Sequence, residues 1–176
     1  HVWGAQIEAG SFATSYIPTV AATVTRAADI IKQSGTALST IGGAAGAVIE
    51  EFTPMSATAA DQYGIYGNGV IPIYMDSALA IKATNGTNVL SSGVTAVAGT
   101  TFRAGLTWDA SGRAISVSNS APATDANGFG TIGSTVYQGS NNGANAANGW
   151  IRSLSFYNQK LNQSTLVAKT TVGGAL

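Results

Sequence analysis

The sequence predicts an all-β fold, an antiparallel β-sandwich or jelly roll with one short C-terminal helix. Apolar residues alternate with period two in several segments, which is typical of strands with one buried face. Turn sequences recur roughly every 8 to 12 residues, a spacing typical of sandwiches and jelly rolls. Only residues 163–169 have the pattern of a helix. We therefore expect many short strands and two helical turns at most.

The clearest element is a hairpin over residues 101–118. Apolar side chains occupy alternate positions of residues 102–108, which predicts a half-buried strand with Trp108 in the core. Residues 109–112, with the sequence DASG, supply an aspartate that can cap a turn and a glycine suited to positive φ. Residues 113–118 alternate again and complete the hairpin.

A second hairpin is predicted over residues 79–90. Its strands flank Asn85-Gly86, the favoured pair for a two-residue type I′ turn. The preceding strand, residues 70–75, contains Pro72, which cannot donate to a β-ladder, so we expect an edge strand or a bulge there. Further strands are predicted at residues 47–53, 131–137 and 150–157.

Charge and cysteine content exclude several classes of function. The 176 residues include eight basic and eight acidic side chains and no cysteine. A nucleic-acid-binding protein normally presents a basic patch, and this chain has no run of basic residues. The longest apolar segment, residues 41–49, is too short to span a membrane, so we expect no membrane insertion.

The low charge also bears on assembly. Only 9% of the residues are charged, against roughly 25% in ordinary soluble domains. Copies of such a surface repel one another weakly, so the composition favours a homo-oligomer that buries part of it. The alternative is a monomer that serine, threonine and asparagine side chains keep soluble.

The N-terminal segment resembles a known junction. Residues 3–29, WGAQIEAGSFATSYIPTVAATVTRAAD, are similar to a segment of bacteriophage tail-fibre and tail proteins that ends one β-domain and leads into the next. The resemblance implies a virion protein, exposed to the extracellular medium and favoured to be a trimer. It also predicts an arm at residues 1–28 and a sandwich at residues 29–176. We expect an ion pair between Arg26 and Asp29 to orient the arm.

A second resemblance covers most of the chain, roughly residues 29–172. The segments AVIEEFTP, QYGIYGNG, TFRAGLTWDASGRAISVS and NGWIRSLSFYNQKLNQSTL, in that order, resemble the concanavalin A-like lectin/glucanase (laminin-G-like) jelly roll, above all its copies in phage tail proteins. This resemblance implies two curved, packed sheets that bind glycans or other cell-surface ligands. Some relatives are glycanases, and some hold calcium.

The acidic residues argue against the glycanase activity. A retaining glycosidase needs two carboxyls about 5 Å apart, and on a strand this requires side chains on the same face. The Glu-x-Asp-x-x-Glu run of the glucanases is absent, and the adjacent Glu50 and Glu51 must face opposite sides. Asp76, Asp109 and Asp125 lie in turn sequences, where aspartate usually caps backbone amides. We therefore expect no catalytic residues and no enzyme activity.

No cofactor is predicted either. The only histidine is His1, and residues 42–46 are glycine-rich but lack the lysine and hydroxyl residue of a phosphate-binding loop. No group of acids forms a calcium motif, although Asp61 or Asp109 can contribute to a calcium site in a loop.

Two segments combine the aromatic and amide side chains that sugars require, residues 62–68 and 137–150. An aromatic ring can cover the apolar face of a pyranose, and amides offer paired donors and acceptors to its hydroxyls. Tyr63 and Tyr66 are three residues apart in a strand, so we expect them to face opposite sides. The alternative for the second segment is an Asn/Gly connector with Trp150 in the core. The candidate ligand-binding residues are Tyr63, Tyr66, Asn68, Tyr137, Asn141, Asn142, Asn145, Asn148 and Trp150.

These observations predict a carbohydrate- or cell-surface-binding domain of a phage tail fibre or tail tip, which recognises a host without catalysis. Its expected partners are a host cell-surface glycan, other virion proteins and further copies of itself. The alternative is a purely structural virion module, a decoration or fibre-assembly protein that makes protein contacts only.

Overall fold

Two antiparallel sheets pack face to face in the computed structural model, which describes residues 30–35, 43–57, 60–67, 70–132, 135–140 and 144–173. The six-stranded sheet has the order β1-β10-β3-β4-β5-β6 and the five-stranded sheet the order β11-β2-β7-β8-β9. A short helix, α1, follows the last strand. The predicted fold class, an all-β antiparallel sandwich with one short helix, is confirmed. The elements are β1 (Ile31–Ser34), β2 (Gly46–Pro54), β3 (Gln62–Gly67), β4 (Val70–Met75), β5 (Ala80–Thr84), β6 (Val89–Thr95), β7 (Phe102–Asp109), β8 (Gly112–Val117), β9 (Ala123–Asp125), β10 (Thr135–Gln138), β11 (Gly149–Tyr157) and α1 (Gln163–Lys169).

The core lies between the sheets and is filled by alternate residues of the strands. Trp108 is fully buried, as predicted, and its ring lies 5.1 Å from that of Phe129 between the ring centroids. Its indole Nε1 donates to the carbonyl of Gly43 at 3.1 Å, so burying this ring leaves no unpaired polar group. The predicted hairpin is present as β7 and β8, with Asp109 paired to Gly112 and residues 110 and 111 forming the turn.

The outer face of the five-stranded sheet is covered in part by α1. Leu166 packs on Ile49 and Ala114, and a Cβ added to Gly105 would lie 2.9 Å from Cδ1 of Leu166. The strand β7 is therefore buried on both faces, and the prediction of a half-buried strand is wrong. The reason is tertiary: the helix packs over the side that the alternation assigns to solvent.

Of two further local predictions, one is wrong and the other is met by one of its two alternatives. The second hairpin is present, but Asn85–Asn88 form a four-residue loop instead of a two-residue type I′ turn. The side chain of Asn85 stabilises this loop by accepting from the amides of Thr87 and Asn88, at 3.1 and 2.7 Å. The strand with Pro72 lies between β3 and β5, so it is not an edge strand, and it has a register shift between Ile71 and Tyr74 that fits the predicted bulge.

The other predicted elements lie close to their observed positions, whereas the strands β1 and β9 were not predicted. The strand β10 is shorter than predicted, Thr135–Gln138 instead of residues 131–137, whereas α1 has the predicted bounds. The arm at residues 1–28, the boundary at residue 29 and the Arg26–Asp29 pair lie outside the described residues and stay predictions. Among the described residues, no helix has the length and apolar character that crossing a membrane requires.

Candidate functional site

The two adjacent glutamates lie on opposite faces of β2, as predicted. Glu50 points into the core and is 1% exposed, and its Oε1 has no hydrogen-bond partner among the described residues. Burial raises the pKa of Glu50 to about 8. Glu51 lies on the outer face and accepts from the guanidinium of Arg103, with Nε at 2.9 Å. The two carboxyls therefore form no catalytic pair.

The three turn aspartates cap backbone amides, as predicted. Asp76 accepts from the amides of Ala78 and Ala80, both at 2.9 Å. Asp109 accepts from the amide of Ser111 at 2.8 Å. Asp125 accepts from the amide of Asn127 at 3.1 Å. Within the described part of the chain, no three acidic or histidine residues are grouped to hold a metal ion.

The two predicted binding segments contact each other at one end of the sandwich. The amide of Tyr63 donates to the carbonyl of Asn145 at 3.0 Å, and Nδ2 of Asn145 donates to the carbonyl of Asp61 at 3.3 Å. The amide of Asn148 donates to the side chain of buried Gln62 at 2.8 Å. These bonds fix the second segment against the start of β3, and they occupy the amide nitrogen of Asn145 within the protein.

The other predicted site residues are placed as follows. The Nδ2 group of Asn148 donates to the hydroxyl of Ser56. The ring of Tyr63 packs edge-on against that of Tyr74, with centroids 6.1 Å apart. Tyr137 is half-buried in β10, opposite Tyr66 of β3. The side chain of Tyr66 and the residues Asn68, Asn141 and Asn142 lie outside the described part, so their role in binding, like that of the whole set, stays a prediction.

Trp150 is exposed on the outer face of the five-stranded sheet. Register pairs Ile151 with Phe52, and both side chains pack in the core. Because neighbouring residues of a strand face opposite sides, the next pair, Trp150 and Thr53, faces outward. Trp150 is 56% exposed, so the alternative of a core tryptophan is wrong.

A row of hydrogen-bonded polar side chains lies on the same sheet face as this tryptophan. The guanidinium Nε of Arg152 donates to Oγ1 of Thr53 at 3.0 Å, and the hydroxyls of Thr53 and Thr101 are 2.8 Å apart. A hydroxyl that accepts from arginine can donate its own proton onward, which leaves the proton of Thr101 for a ligand. We call the group of Trp150, Arg152, Thr53 and Thr101 the Trp150 surface.

Two arginines lie at or beside the Trp150 surface, Arg103 buried in an ion pair and Arg152 exposed. Arg103 is 5% exposed and is neutralised by Glu51, and it also donates to the carbonyl of Lys169 at 3.5 Å. Arg152 is exposed and its Nε donates to the Thr53 hydroxyl, so its charge faces solvent. The surface therefore offers one aromatic ring, one positive charge and the half-buried hydroxyl of Thr101.

Of these residues, only Trp150 is among those that the sequence predicts to bind a ligand. Arg152 follows Trp150 by two positions, a spacing that places both on one face of a strand, so the period-two rule was a usable signal. Thr53 lies in β2 and Thr101 immediately before β7, and both reach the site through the pairing of β2 with β11 and β7. No sequence motif marks that pairing.

Comparison with known proteins identifies the architecture. No family model matches the chain, and no curated protein matches it. Solved structures do match: the CBM40 domain of a Ruminococcus gnavus IT-sialidase bound to α2,3-sialyllactose has a TM-score of 0.65 at 18% identity, covering 82% of this chain and 96% of that one. A heptameric SAP-like pentraxin from Limulus polyphemus has a TM-score of 0.59 at 15% identity, covering 75% of this chain and 72% of that one.

A leech intramolecular trans-sialidase also matches, with a TM-score of 0.59 at 16% identity, covering 75% of this chain and 24% of that one. The predicted jelly-roll β-sandwich is thereby confirmed. At such identities the likeness establishes the fold, and a ligand has to be argued from the site itself.

Proposed function

We propose that this chain is a carbohydrate-binding domain through which a virion attaches to a glycan of the host surface, without cutting it. The observation that carries the proposal is the exposed ring of Trp150 beside the solvent-facing charge of Arg152. Single exposed apolar residues are common, but a tryptophan flanked by fixed polar groups on an open sheet face has the features of a binding site.

Binding follows from the chemistry of these side chains. The indole ring covers the apolar C–H face of one sugar ring, and the polar groups meet the hydroxyls at its rim. Arg152 donates to a hydroxyl or a carboxylate of the glycan, and Thr101 donates the proton that its neighbour leaves unused. The sialyllactose bound by the similar CBM40 domain supports a saccharide ligand for this fold.

The distribution of acidic groups supports binding without hydrolysis. Glu51 is the carboxylate next to the Trp150 surface, and Arg103 neutralises it. Glu50 lies on the other side of the sheet, in the core. Retaining and inverting glycosidases both need a pair of carboxyls facing the same sugar, and β2 offers no such pair at this surface.

The role in a virion is supported by the similarity of residues 3–29 to the phage junction segment. We infer that this segment joins the domain to the rest of a tail fibre or tail tip. A low content of charge, 9%, is compatible with a homo-oligomer, and a trimer is the form that the resemblance implies.

One feature favours the alternative of a structural virion module. All four residues of β1 are exposed, and Ile30 and Ile31 are 49% and 57% exposed at this edge of the six-stranded sheet. An exposed edge strand can pair with another chain, which is what an assembly protein needs. The Trp150 surface and the β1 edge belong to different sheets, so a variant of Trp150 tests glycan binding without altering that edge.

The test is binding of the purified chain to an array of bacterial envelope polysaccharides and sialylated glycans. We expect saturable binding that Trp150→Ala weakens by about tenfold or more, equivalent to about 1.4 kcal/mol. Val89→Ala is the matched control, because Val89 is equally exposed, at 55%, but lies in β6 on the other sheet. Equal binding by both variants would reject the Trp150 surface as the site, whereas no binding by the folded chain would reject the proposed function and favour the structural module.

A further inference from the structure

A groove of about 470 Å³ lies at the other end of β7 from the Trp150 surface. Its walls are the turn between β7 and β8, the strand β9 and residues 160–163. Thr101 and Asp109 are eight positions apart at the two ends of β7, which places the groove roughly 25 Å from the Trp150 surface. The two regions share no residue.

An accessible ion pair lies beside the groove, where Lys160 and Ser111 line it and Asp109 contacts both of them. The ammonium of Lys160 lies 2.8 Å from Oδ1 of Asp109, and the two side chains are 35% and 34% exposed. The hydroxyl of Ser111 donates to the same carboxylate oxygen at 2.6 Å. Lys160 and Ser111 hold the pKa of Asp109 at about 2, so the carboxylate stays ionised at neutral pH. A strong donor and a strong acceptor therefore lie side by side at the surface.

Backbone contacts hold the opposite wall in place. The amide of Leu161 donates to Oγ1 of Thr107 at 2.7 Å, a bond that ties this wall to β7. Oδ1 of Asn162 accepts from the amide of Thr165 at 2.8 Å and from the hydroxyl of Ser164. The amide nitrogen of Asn162 is thus the group that it can offer to a ligand. Such preorganisation reduces the entropy that binding costs.

The two cations that line the groove are each paired with a carboxylate, and this selects the ligand. Lys160 is paired with Asp109, and Arg113 is paired with Asp125 at 2.8 Å. Neither an anion nor a cation finds an uncompensated partner there. A vicinal diol fits better, because one hydroxyl can donate to a carboxylate while its neighbour accepts from an ammonium group.

We propose that this groove, the Lys160 groove, is a second saccharide site that takes a neutral sugar through a vicinal diol, held by Lys160 of its lining and by the carboxylate of Asp109 beside it. The amides of Asn162 and Gln163, which also line the groove, bind further hydroxyls of the same sugar. No aromatic side chain lines it, so hydrogen bonds supply the affinity, and we expect dissociation constants on the order of millimolar. The site shares its ligand class with the proposed function above but none of its residues.

The test is a titration of the ¹⁵N-labelled full chain with the methyl glycosides of glucose, galactose and mannose, followed by amide chemical shifts. We expect at least one glycoside to shift the amides of Ser111, Gly112 and Gln163. Lys160→Met and Gln163→Ala should each weaken this binding, the former by about tenfold. Both positions are exposed, and surface ion pairs contribute little to stability, so the variants remain folded.

Trp150→Ala separates the two sites. We expect it to leave the shifts at Gly112 and Gln163 unchanged, because the Trp150 surface is remote from the groove. The proposal is overturned if no glycoside shifts these amides, or if Lys160→Met leaves their binding curve unaltered. Shifts confined to Trp150 and Arg152 would overturn the groove while supporting the proposed function. Shifts confined to the groove would support the groove and count against the Trp150 surface.

Discussion

Replacing the buried glutamate by glutamine should remove a large pH dependence from the stability of this protein. Glu50 points between the sheets, with Gly64 of β3, Ala104 of β7 and Leu154 of β11 around it. These neighbours are uncharged, and burial alone raises its pKa from 4.5 to about 8. The folded protein therefore binds one more proton than the unfolded chain between these two pH values.

The sign and size follow from this proton. Below pH 4.5 the carboxyl is protonated in both states, so it imposes no penalty. Between pH 4.5 and about 8 only the unfolded chain releases the proton, and the free energy of unfolding falls by about 1.4 kcal/mol per pH unit. At pH 7 the loss is about 3 kcal/mol, a large part of the roughly 5 to 15 kcal/mol that stabilises a typical domain.

Urea unfolding at a series of pH values measures this loss. Glu50→Gln keeps the size and polarity of the side chain but cannot ionise, so the difference between the two proteins isolates the carboxyl. We expect the variant to gain about 3 kcal/mol relative to the native protein between pH 4.5 and pH 7. Glu51→Gln, the same substitution on the outer face, should not produce this gain. Parallel stability curves for the native protein and Glu50→Gln would refute the reasoning.

Three further substitutions test the packing. Gly64→Ala should destabilise the fold by about 2 kcal/mol, seen as a lower urea midpoint, because its Cβ would lie 2.2 Å from Oε2 of Glu50. Asp125→Ala leaves the buried guanidinium of Arg113 without its carboxylate and should cost about 3 kcal/mol. The bridge lowers the pKa of Asp125, so its contribution is lost in acid, as the pH falls through that value. Asn162→Ala removes the N-cap of α1 and should cost about 1 kcal/mol in the same assay. If the urea midpoint of one of these variants stays unchanged, the contact that it tests is contradicted.

Local chemistry explains the elements that were predicted correctly. The alternation in residues 102–108 and the DASG turn specify the β7–β8 hairpin within a few residues of chain. The bounds of α1 follow from the cap of Asn162 and an apolar residue, Leu166, on the face turned to the sheet. The prediction of a two-residue turn at Asn85 was wrong because the Asn85 side chain accepts from the amides of Thr87 and Asn88. The preference of the Asn-Gly pair for a type I′ turn takes no account of such side-chain bonds.

The candidate site was predicted only in part, because its residues come from three strands. Trp150 was named, but its environment depends on Thr53 in β2 and Thr101 before β7. The asparagines of the second segment were named for their amides, and Asn145 and Asn148 use theirs to hold the loop on Asp61 and Ser56. Amide content alone does not distinguish a side chain that binds a ligand from one that holds its own loop.

The sequence by itself determined that this protein is a sandwich of short antiparallel strands, since alternation, turn residues and helix caps act over a few neighbouring positions. The tertiary structure alone decided that both faces of β7 are buried, that Glu50 lies in the core and that Trp150 faces solvent. The physical reason is that a period of two divides a strand into two faces without saying what covers either one. That choice depends on register with strands far away in the chain and on the helix that packs over the sheet.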